Sequence, residues 1–294
     1  MEFGALPWLS SEEEIFMNIF EAAFLGAVEG FTEFLPVSST GHLTILERML
    51  GYSTNDPDIT AFTAIIQVGA VFATLLYLRS DIRRLLTALF RGIAQREQRK
   101  SSDYKLAWAV ILGSLPIGVV GLAFKDTIET TLRTLWFVSA ALVLWSAVMW
   151  YADRKGTQVR GEEDVTWKDT LIIGIVQCMA LIPGVSRSGA TMSAGLLRGL
   201  DRVTVTRLSF MLSIPALTAA GALQTIDEFG AISRGVGWAA TLTATAVSFV
   251  TAYAAVSWLL KFVAKHSYNV FIGYRVVLGL FIMFLLGADL LPST

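Results

Sequence analysis

Long apolar stretches separated by short polar ones make up most of the chain. Six of these stretches approach the roughly 20 residues that a membrane-spanning helix needs. They are Ala61 to Leu78, Leu106 to Phe124, Leu135 to Ala152, Leu208 to Ile226, Trp238 to Leu260 and Ile272 to Leu290. Only the last contains a basic residue, Arg275. The pattern predicts an all-α, polytopic membrane protein with six transmembrane helices.

Two further apolar segments are interrupted. Ile15 to Phe34 and Thr170 to Val185 each run into Pro and Gly and then into a turn rich in Ser and Thr. Irregular backbone at membrane depth is tolerated only where protein or water satisfies its polar groups. We therefore expect two re-entrant helical hairpins in addition to the six spans.

An internal repeat relates these segments at a constant offset of 148 residues. Identical residues in the first half are Gly26, Val28, Val37, Ser38, Gly41, Phe62 and Ile66, matching Gly174, Val176, Val185, Ser186, Gly189, Phe210 and Ile214. The repeats would cover about 16–152 and 168–291 within one integral membrane domain, 1–294. Each would hold one hairpin and three spans. An odd number of crossings inverts the second half, as in many transporters.

The composition agrees with a membrane location and excludes other classes. Mean hydropathy is +0.60, and charged residues are 16% of the chain against about 25% in soluble domains. A net charge of -1 without a folded basic face argues against a nucleic-acid partner. The single cysteine, Cys178, excludes an intramolecular disulfide and a cysteine-based metal cluster.

Positive charge predicts the orientation in the membrane. Residues 79–105 contain eight Lys and Arg, so this segment should be cytoplasmic. Alternation then puts loops 153–169, 198–207 and 261–271 inside and loops 125–134 and 227–237 outside. The first 47 residues hold no Lys or Arg, and we expect both termini outside. The first hairpin would enter from outside and the second from the cytoplasm, so that their turns meet near mid-membrane.

The first hairpin carries a run of reactive side chains at residues 29–42. Glu29 and Glu33 lie four residues apart and share one helix face. Two carboxylates shielded from water suit a divalent cation, Mg²⁺ or Ca²⁺, bound together with substrate phosphates. The simpler alternative is a pair of glutamates at a helix end in the membrane interface.

Hydroxyl groups follow the glutamates and lie beside a histidine. Ser38, Ser39 and Thr40 precede His42, one of two histidines in the chain. A hydroxyl next to a base is a candidate nucleophile, and imidazole transfers protons near neutral pH. In the alternative interpretation, the hydroxyls only satisfy backbone groups of the turn and His42 is a buried structural residue.

The second motif, residues 183–191, presents one cation among hydroxyls. Ser186 and Ser188 flank Arg187, and Thr191 follows one turn later. A guanidinium with neighbouring hydroxyls and turn amides is suited to phosphate oxygens. The alternative is a structural salt bridge from Arg187 to a glutamate of the first motif.

Two other polar residues lie within predicted spans. Gln67 would line the site or form hydrogen bonds between helices. Arg275 would reach a substrate phosphate, or snorkel from its helix end to the interface.

Residues 29–42 (EGFTEFLPVSSTGH) and 183–191 (PGVSRSGAT) resemble the two signature motifs of bacterial undecaprenyl-diphosphate phosphatases, the bacitracin-resistance family. The resemblance covers about Phe16 to Leu291. It implies hydrolysis of the terminal phosphate of undecaprenyl pyrophosphate, which recycles the carrier lipid of cell-wall synthesis. It also implies a multi-pass protein of the bacterial plasma membrane, with a site open to the outer face. Bacitracin would compete indirectly, by binding the substrate, and a homodimer is expected on family grounds.

The resemblance also implies roles for individual residues. Glu29 and Glu33 would bind the divalent cation, and Ser39 would attack with His42 as its base. Direct attack by His42 or by water is the alternative. Arg187 would hold the phosphates. The hydroxyls assisting it are Ser38, Thr40, Ser186, Ser188 and Thr191.

Three other classes share parts of this pattern. A secondary transporter or lipid translocator also uses inverted repeats with broken helices, but needs no nucleophile, and hydrolysis followed by flipping of the product would combine both. An intramembrane serine protease would use Ser and His but has no need of the glutamates or Arg187. A type-2 phosphatidic acid phosphatase needs a second catalytic histidine, and His266 is badly placed for that.

Overall fold

The structure is a computed structural model that describes residues 17–53, 56–124, 134–227 and 235–291. This part of the chain forms eleven α-helices, and its one β pairing is a bridge between Arg160 and Leu200. The helices are α1 (Ile19–Glu33), α2 (Ser39–Met49), α3 (Pro57–Tyr77), α4 (Arg79–Ala94), α5 (Ser102–Ala123), α6 (Leu135–Lys155), α7 (Trp167–Gln177), α8 (Arg187–Leu197), α9 (Arg202–Asp227), α10 (Trp238–Val263) and α11 (Asn269–Gly287). Short 3₁₀ turns occur at Arg96–Lys100, Glu162–Asp164 and Cys178–Leu181.

Five helices are long and apolar enough to cross a membrane: α3, α5, α6, α10 and α11. The chain is therefore a multi-pass membrane protein, and these helices correspond to five of the six predicted spans. The sixth predicted span, Leu208 to Ile226, lies within α9. The side chains of residues 220 and 223–227 lie outside the described part of the protein, so this span stays a prediction.

Both interrupted segments break into two helices joined by a turn. The first turn lies between α1 and α2 and ends at Ser38; the second lies between α7 and α8 and ends at Ser186. Each serine has a positive φ, 76° and 75°. Each caps the following helix by accepting a hydrogen bond from the amide three residues on, that of Gly41 at 3.3 Å and of Gly189 at 3.2 Å. The two turns thus share one backbone design. Their depth in the membrane stays a prediction.

The correspondence between the halves extends to the starts of the two broken segments. Asn18 and Glu21 form a capping box at the start of α1, and Thr166 and Asp169 form one at the start of α7. These pairs are again separated by 148 residues. In such a box each side chain satisfies a backbone amide that the first helical turn leaves without a partner.

The first helix of each half packs against the other half. Helix α1 packs along α10 of the second half, and α7 packs along α5 of the first. The repeat-related glycines Gly26 and Gly174 lie at these contacts, against the backbones of Ala244 and Gly113. A Cβ at either glycine would collide with the facing backbone, so both close helix approaches require glycine. This packing brings the two turns together.

Several orientation predictions fall on residues that the structure does not describe. Most of the predicted outer loops, at 125–133 and 228–234, and both termini, at 1–16 and 292–294, lie outside the described residues. The predicted cytoplasmic segment 79–105 consists of α4, a 3₁₀ turn and the start of α5.

Candidate functional site

Glu33 connects the two motifs. It ends α1, whereas Ser39 and Arg187 begin α2 and α8. One carboxylate oxygen of Glu33 accepts a hydrogen bond from the Ser39 hydroxyl, and the other accepts one from the Arg187 guanidinium. Glu33 is only 5% exposed. A buried carboxylate with two such donors holds both side chains in fixed positions, so the helix starts of the two repeats form one constellation.

The hydroxyls of the second motif tie the turns together. Ser188 donates to the carbonyl of Leu35 in the first turn at 2.8 Å, and its oxygen lies 3.0 Å from that of Ser186. Thr191 lies one turn along α8 and donates to Ser209 of α9 at 2.6 Å. These hydroxyls therefore satisfy a backbone carbonyl and neighbouring side chains.

Arg275 lies beneath both turns. Its side chain is completely buried, so it does not snorkel. It donates to the carbonyls of Gly184 at 2.9 Å and Pro36 at 3.4 Å, one in each turn. Its remaining partners, on α6, are Leu142 O at 3.4 Å and Ser146 Oγ at 3.1 Å. A guanidinium offers five donors and no acceptor, and here it joins the two turn backbones to α6.

His42 is held from both sides. Its Nδ1 lies 2.7 Å from the carbonyl oxygen of Ser38, and its Nε2 lies 2.7 Å from the hydroxyl of Tyr274. Because a carbonyl only accepts, Nδ1 carries the proton of a neutral ring and Nε2 accepts from Tyr274. The two rings also stack at 5.5 Å with an interplanar angle of 10°. Tyr274 was missed in the sequence; its only signal there is its position next to Arg275.

The expected pair of Ser39 and His42 differs from the observed hydrogen bonds. The Ser39 hydroxyl donates to Glu33, whereas the two nitrogens of His42 contact Ser38 and Tyr274. In this geometry Glu33, not His42, is the acceptor for the Ser39 proton. The role of His42 as a base stays a prediction.

Glu29 and Gln67 border a small polar cavity of about 150 Å³. It is also lined by Thr40, Thr44, Glu47, Thr60 and Thr63, together with Leu43, Ile59 and Ala64. Glu29 is 1% exposed, and its Oε1 has no hydrogen-bond partner among the described residues. A buried carboxylate oxygen without a donor is costly unless a cation or proton reaches it.

The donor set fits a divalent cation only in part. In the described part of the chain, no group of three or more His, Cys, Asp or Glu side chains could hold a metal ion. Glu29 and Glu33, one helical turn apart and both buried, supply two carboxylates. Such a pair suits an ion that takes its remaining ligands from substrate phosphates and water.

An apolar groove begins at the histidine. It has a volume of about 600 Å³, and His42 and Tyr274 lie along it together with the apolar side chains of Phe31, Met49 and Phe281. These three are at least half exposed, so the groove opens to the outside of the helix bundle. The groove thus links a hydrogen-bonded histidine to a surface that would face lipid in a membrane.

Comparison with known proteins gives consistent matches over nearly the whole chain. The family model described as bacitracin resistance protein BacA matches residues 22–281. Undecaprenyl-diphosphatase 3 of Frankia casuarinae is 70% identical over 278 residues, 95% of this chain and 100% of that protein. Undecaprenyl-diphosphatase of Cutibacterium acnes is 53% identical, covering 94% of this chain and 100% of the relative. Undecaprenyl-diphosphatase 1 of Streptomyces avermitilis is 52% identical, with coverages of 94% and 99%.

Proposed function

The chain belongs to the bacitracin resistance protein BacA family, and from that premise we propose how its two motifs work as one active site. The protein is an undecaprenyl-diphosphate phosphatase. It hydrolyses the terminal phosphate of undecaprenyl pyrophosphate and releases undecaprenyl phosphate and inorganic phosphate, which is the family's link to bacitracin resistance. The observation that carries the assignment of the site is the bridge from Ser39 through Glu33 to Arg187.

In the proposed reaction, Ser39 Oγ attacks the terminal phosphorus. Its proton passes to Glu33, which already accepts its hydrogen bond. The bond from phosphorus to the bridging oxygen breaks, and undecaprenyl phosphate leaves. Water then attacks the phosphorus of the phosphoserine and gives one proton to His42, while Ser39 Oγ leaves with the proton held by Glu33 and inorganic phosphate is released. His42, held by Ser38 and Tyr274, serves as the second proton-transfer group, since imidazole is suited to that task near neutral pH.

Arg187 would bind the phosphates. Its charge is neutralised by Glu33. A pyrophosphate entering the site offers several anionic oxygens, to which a planar guanidinium binds through two parallel hydrogen bonds. When a substrate phosphate replaces Glu33 as the partner of Arg187, the Glu33 carboxylate would be free to accept the Ser39 proton.

Glu29 and Glu33 would hold a divalent cation, Mg²⁺ or Ca²⁺. Support comes from the unpartnered Oε1 of Glu29 and from the second carboxylate one turn away. The cation would neutralise charge on the pyrophosphate and on the leaving phosphate. Gln67, beside Glu29 in the same cavity, would support its ligands through hydrogen bonds.

The prenyl chain would lie in the apolar groove between α1, α2 and α11. A polyprenyl tail needs contact with the bilayer, and the exposed Phe31, Met49 and Phe281 on this groove supply it.

We further propose a plasma-membrane location with the site open to the outer face, six spans in inverted repeats, and indirect competition by bacitracin through the substrate. The homodimer rests on family resemblance alone.

The test is phosphate release from undecaprenyl pyrophosphate by the purified, lipid-reconstituted protein, with and without a chelator. Glu33→Gln and Arg187→Ala should each lower kcat/KM by at least about 10²-fold, the scale of losing one preorganised charged group. Glu97→Gln and Arg96→Ala, which remove the same charges from an exposed turn, should retain wild-type rates. Activity that survives the chelator would remove the cation from the proposal, and full activity of both site variants would overturn the assignment.

A further inference from the structure

Helix α4 has three distinct faces. Asp81, Leu85 and Gly92 are buried against the rest of the protein. Leu86, Phe90 and Ile93, spaced four and three residues apart, form a second, apolar face and are 47%, 67% and 56% exposed. The third face carries arginines. One face of this helix packs against the protein. The exposed apolar face and the basic face need other surroundings.

The position of α4 in the chain places it at a membrane boundary. It begins two residues after α3 ends at Tyr77, and a short turn connects it to α5. Both α3 and α5 are candidate spans. A helix between the ends of two spans, with exposed apolar side chains beside basic ones, is typical of a segment that lies in the lipid interface.

The basic face forms one wall of a cleft of about 650 Å³. Arg79, Arg83 and Arg91 line it at four- and eight-residue spacing, with Thr87 between them. Opposite lie Gln98, Ser101 and Asp103. Arg84, also in the cleft, is engaged by Asp103 and Glu162. In the described part of the chain, Arg79, Arg83 and Arg91 form no ion pair with an acidic side chain, so the cleft has surplus positive charge.

The cleft is continuous with an apolar groove on the other side of the same arginines. A second cavity, of about 440 Å³, is lined by Leu75, Ile82, Leu86 and Phe90 and shares Arg79, Arg83 and Thr87 with the cleft. A ligand that fills both needs an anionic head and an apolar chain extending past Arg83.

We propose that this composite site binds an anionic glycerophospholipid of the leaflet that α4 faces. The phosphate would lie among Arg79, Arg83 and Arg91, and an acyl chain would lie along Leu86 and Phe90. The site is separate from the Glu33 constellation and takes part in no step of hydrolysis. It would hold the end of α3 and the start of α5 at a defined depth. Free inorganic phosphate would leave the apolar groove unused, which is why we assign a lipid.

The test counts phosphatidylglycerol retained by the full-length protein. The protein is reconstituted in nanodiscs of phosphatidylcholine with a minor share of phosphatidylglycerol, and bound lipid is measured by native mass spectrometry. Arg83→Gln with Arg91→Gln should weaken retention about 30-fold, because each basic residue near an anionic surface contributes about 1 kcal/mol and 1.4 kcal/mol is a factor of ten. Lys261→Gln with Lys265→Gln removes the same charge from an exposed region elsewhere and should change nothing.

Two further measurements distinguish a lipid site from a simple anion site and from a folding defect. Phe90→Gln, which keeps every arginine, should also reduce retention, because the acyl groove loses an apolar wall. Phosphate release from undecaprenyl pyrophosphate should be unchanged in phosphatidylcholine, which shows that the variants fold. Equal retention by wild type and the double arginine variant, or displacement of phosphatidylglycerol by excess inorganic phosphate, would overturn the proposal.

Discussion

The turn before α2 and the turn before α8 have the same backbone and opposite chemistry. Ser38 and Ser186 occupy equivalent positions with positive φ and identical capping bonds. The next residue is Ser39 in the first turn and Arg187 in the second, 148 residues later. Three residues further along, His42 in the first half corresponds to Ala190 in the second. The first turn thus supplies a hydroxyl and an imidazole, whereas the second supplies a guanidinium.

The same division continues on the helices before the turns. Glu29 on α1 corresponds to Gln177 on α7 at the same offset. Both are buried, and both have side-chain atoms without a hydrogen-bond partner among the described residues. The carboxylate is in the half with the proposed cation, and the neutral amide is in the other. The two related segments thus share their capping contacts and differ in the polar side chains that they place near the turns.

The largest effect is expected at the first turn. Ser39→Ala removes the proposed nucleophile and should lower phosphate release by about 10⁴-fold or more, the scale seen when an enzyme loses an essential nucleophile. The measurement is kcat/KM with undecaprenyl pyrophosphate. Ser193→Ala, which removes a buried hydroxyl bonded within α8, serves as the control. A nearly active Ser39→Ala protein would assign the attack to His42 or to water.

The two capping boxes should contribute different amounts to the unfolding free energy, because their acidic residues, Glu21 and Asp169, have different partners. Asp169 is fully buried and is bonded to Arg160 at 2.6 Å and Arg198 at 2.8 Å. Asp169→Asn should lower the unfolding free energy by about 3 kcal/mol. This is the low end for a broken buried ion pair, because both arginines can still reach water. Glu21, which accepts from Tyr52 at 2.7 Å, is more exposed, and Glu21→Gln should cost less than about 1 kcal/mol. Denaturant unfolding of the purified proteins compares them; equal losses would contradict a dominant contribution from the ion pairs.

The pH dependence of that difference follows from Asp169. Burial alone would raise the pKa of this carboxyl, but hydrogen bonds from Arg160, Thr166 and Arg198 outweigh burial and lower it. Its stabilisation is therefore complete above the unfolded pKa of about 3.9 and is lost only as the pH falls through the lower folded value. The difference in unfolding free energy between wild type and Asp169→Asn should stay constant between about pH 6 and 8. A smaller difference in unfolding free energy at pH 6 than at pH 8 would contradict the lowered pKa of Asp169.

Tyr274→Phe tests the hydrogen bond that positions His42. The second half has no counterpart of this histidine. Loss of the bond between the tyrosine hydroxyl and Nε2 should lower kcat/KM about three- to tenfold, as expected for one net hydrogen bond. The pH profile of kcat/KM should change as well, which a purely structural residue would not cause. Tyr253→Phe, on a tyrosine that packs against Tyr77, is the control. An unchanged profile would remove Tyr274 from the proton-transfer assembly.

A small effect is expected at the serine that caps the helix after each turn. Ser38→Ala and Ser186→Ala each remove one helix cap, and each should lower the unfolding free energy by about 1 kcal/mol. The capping part of the two losses should be equal, because the capping geometry is the same in both copies; Ser186→Ala also removes the contact of Ser186 Oγ with Ser188 Oγ at 3.0 Å. Thermal unfolding in detergent measures both. A loss confined to one serine would show that the turns do not support the fold equally.

Much of the architecture could be predicted because it depends on local pattern. Five of the predicted spans and both helix breaks follow from the length of apolar runs and from Pro, Gly and Ser at defined positions. The two motifs were sufficient to predict the contact between Arg187 and a glutamate, whereas the catalytic roles of their residues stay predictions. The spans and breaks are encoded within a few residues of one another. The contact of Arg187 with Glu33 joins the two repeats, and the opposite charges of two polar clusters in apolar sequence were its signal.

Other features required the assembled fold. Ser39 bonds to Glu33 and not to His42, Tyr274 reaches His42 across 232 positions of the chain, and Arg275 binds carbonyls of both turns. A hydrogen bond depends on distance and angle to within a few tenths of an ångström. Residue spacing along one helix can indicate which side chains share a face. Only the packing of α1 on α10 and of α6 on α11 decides which donor meets which acceptor.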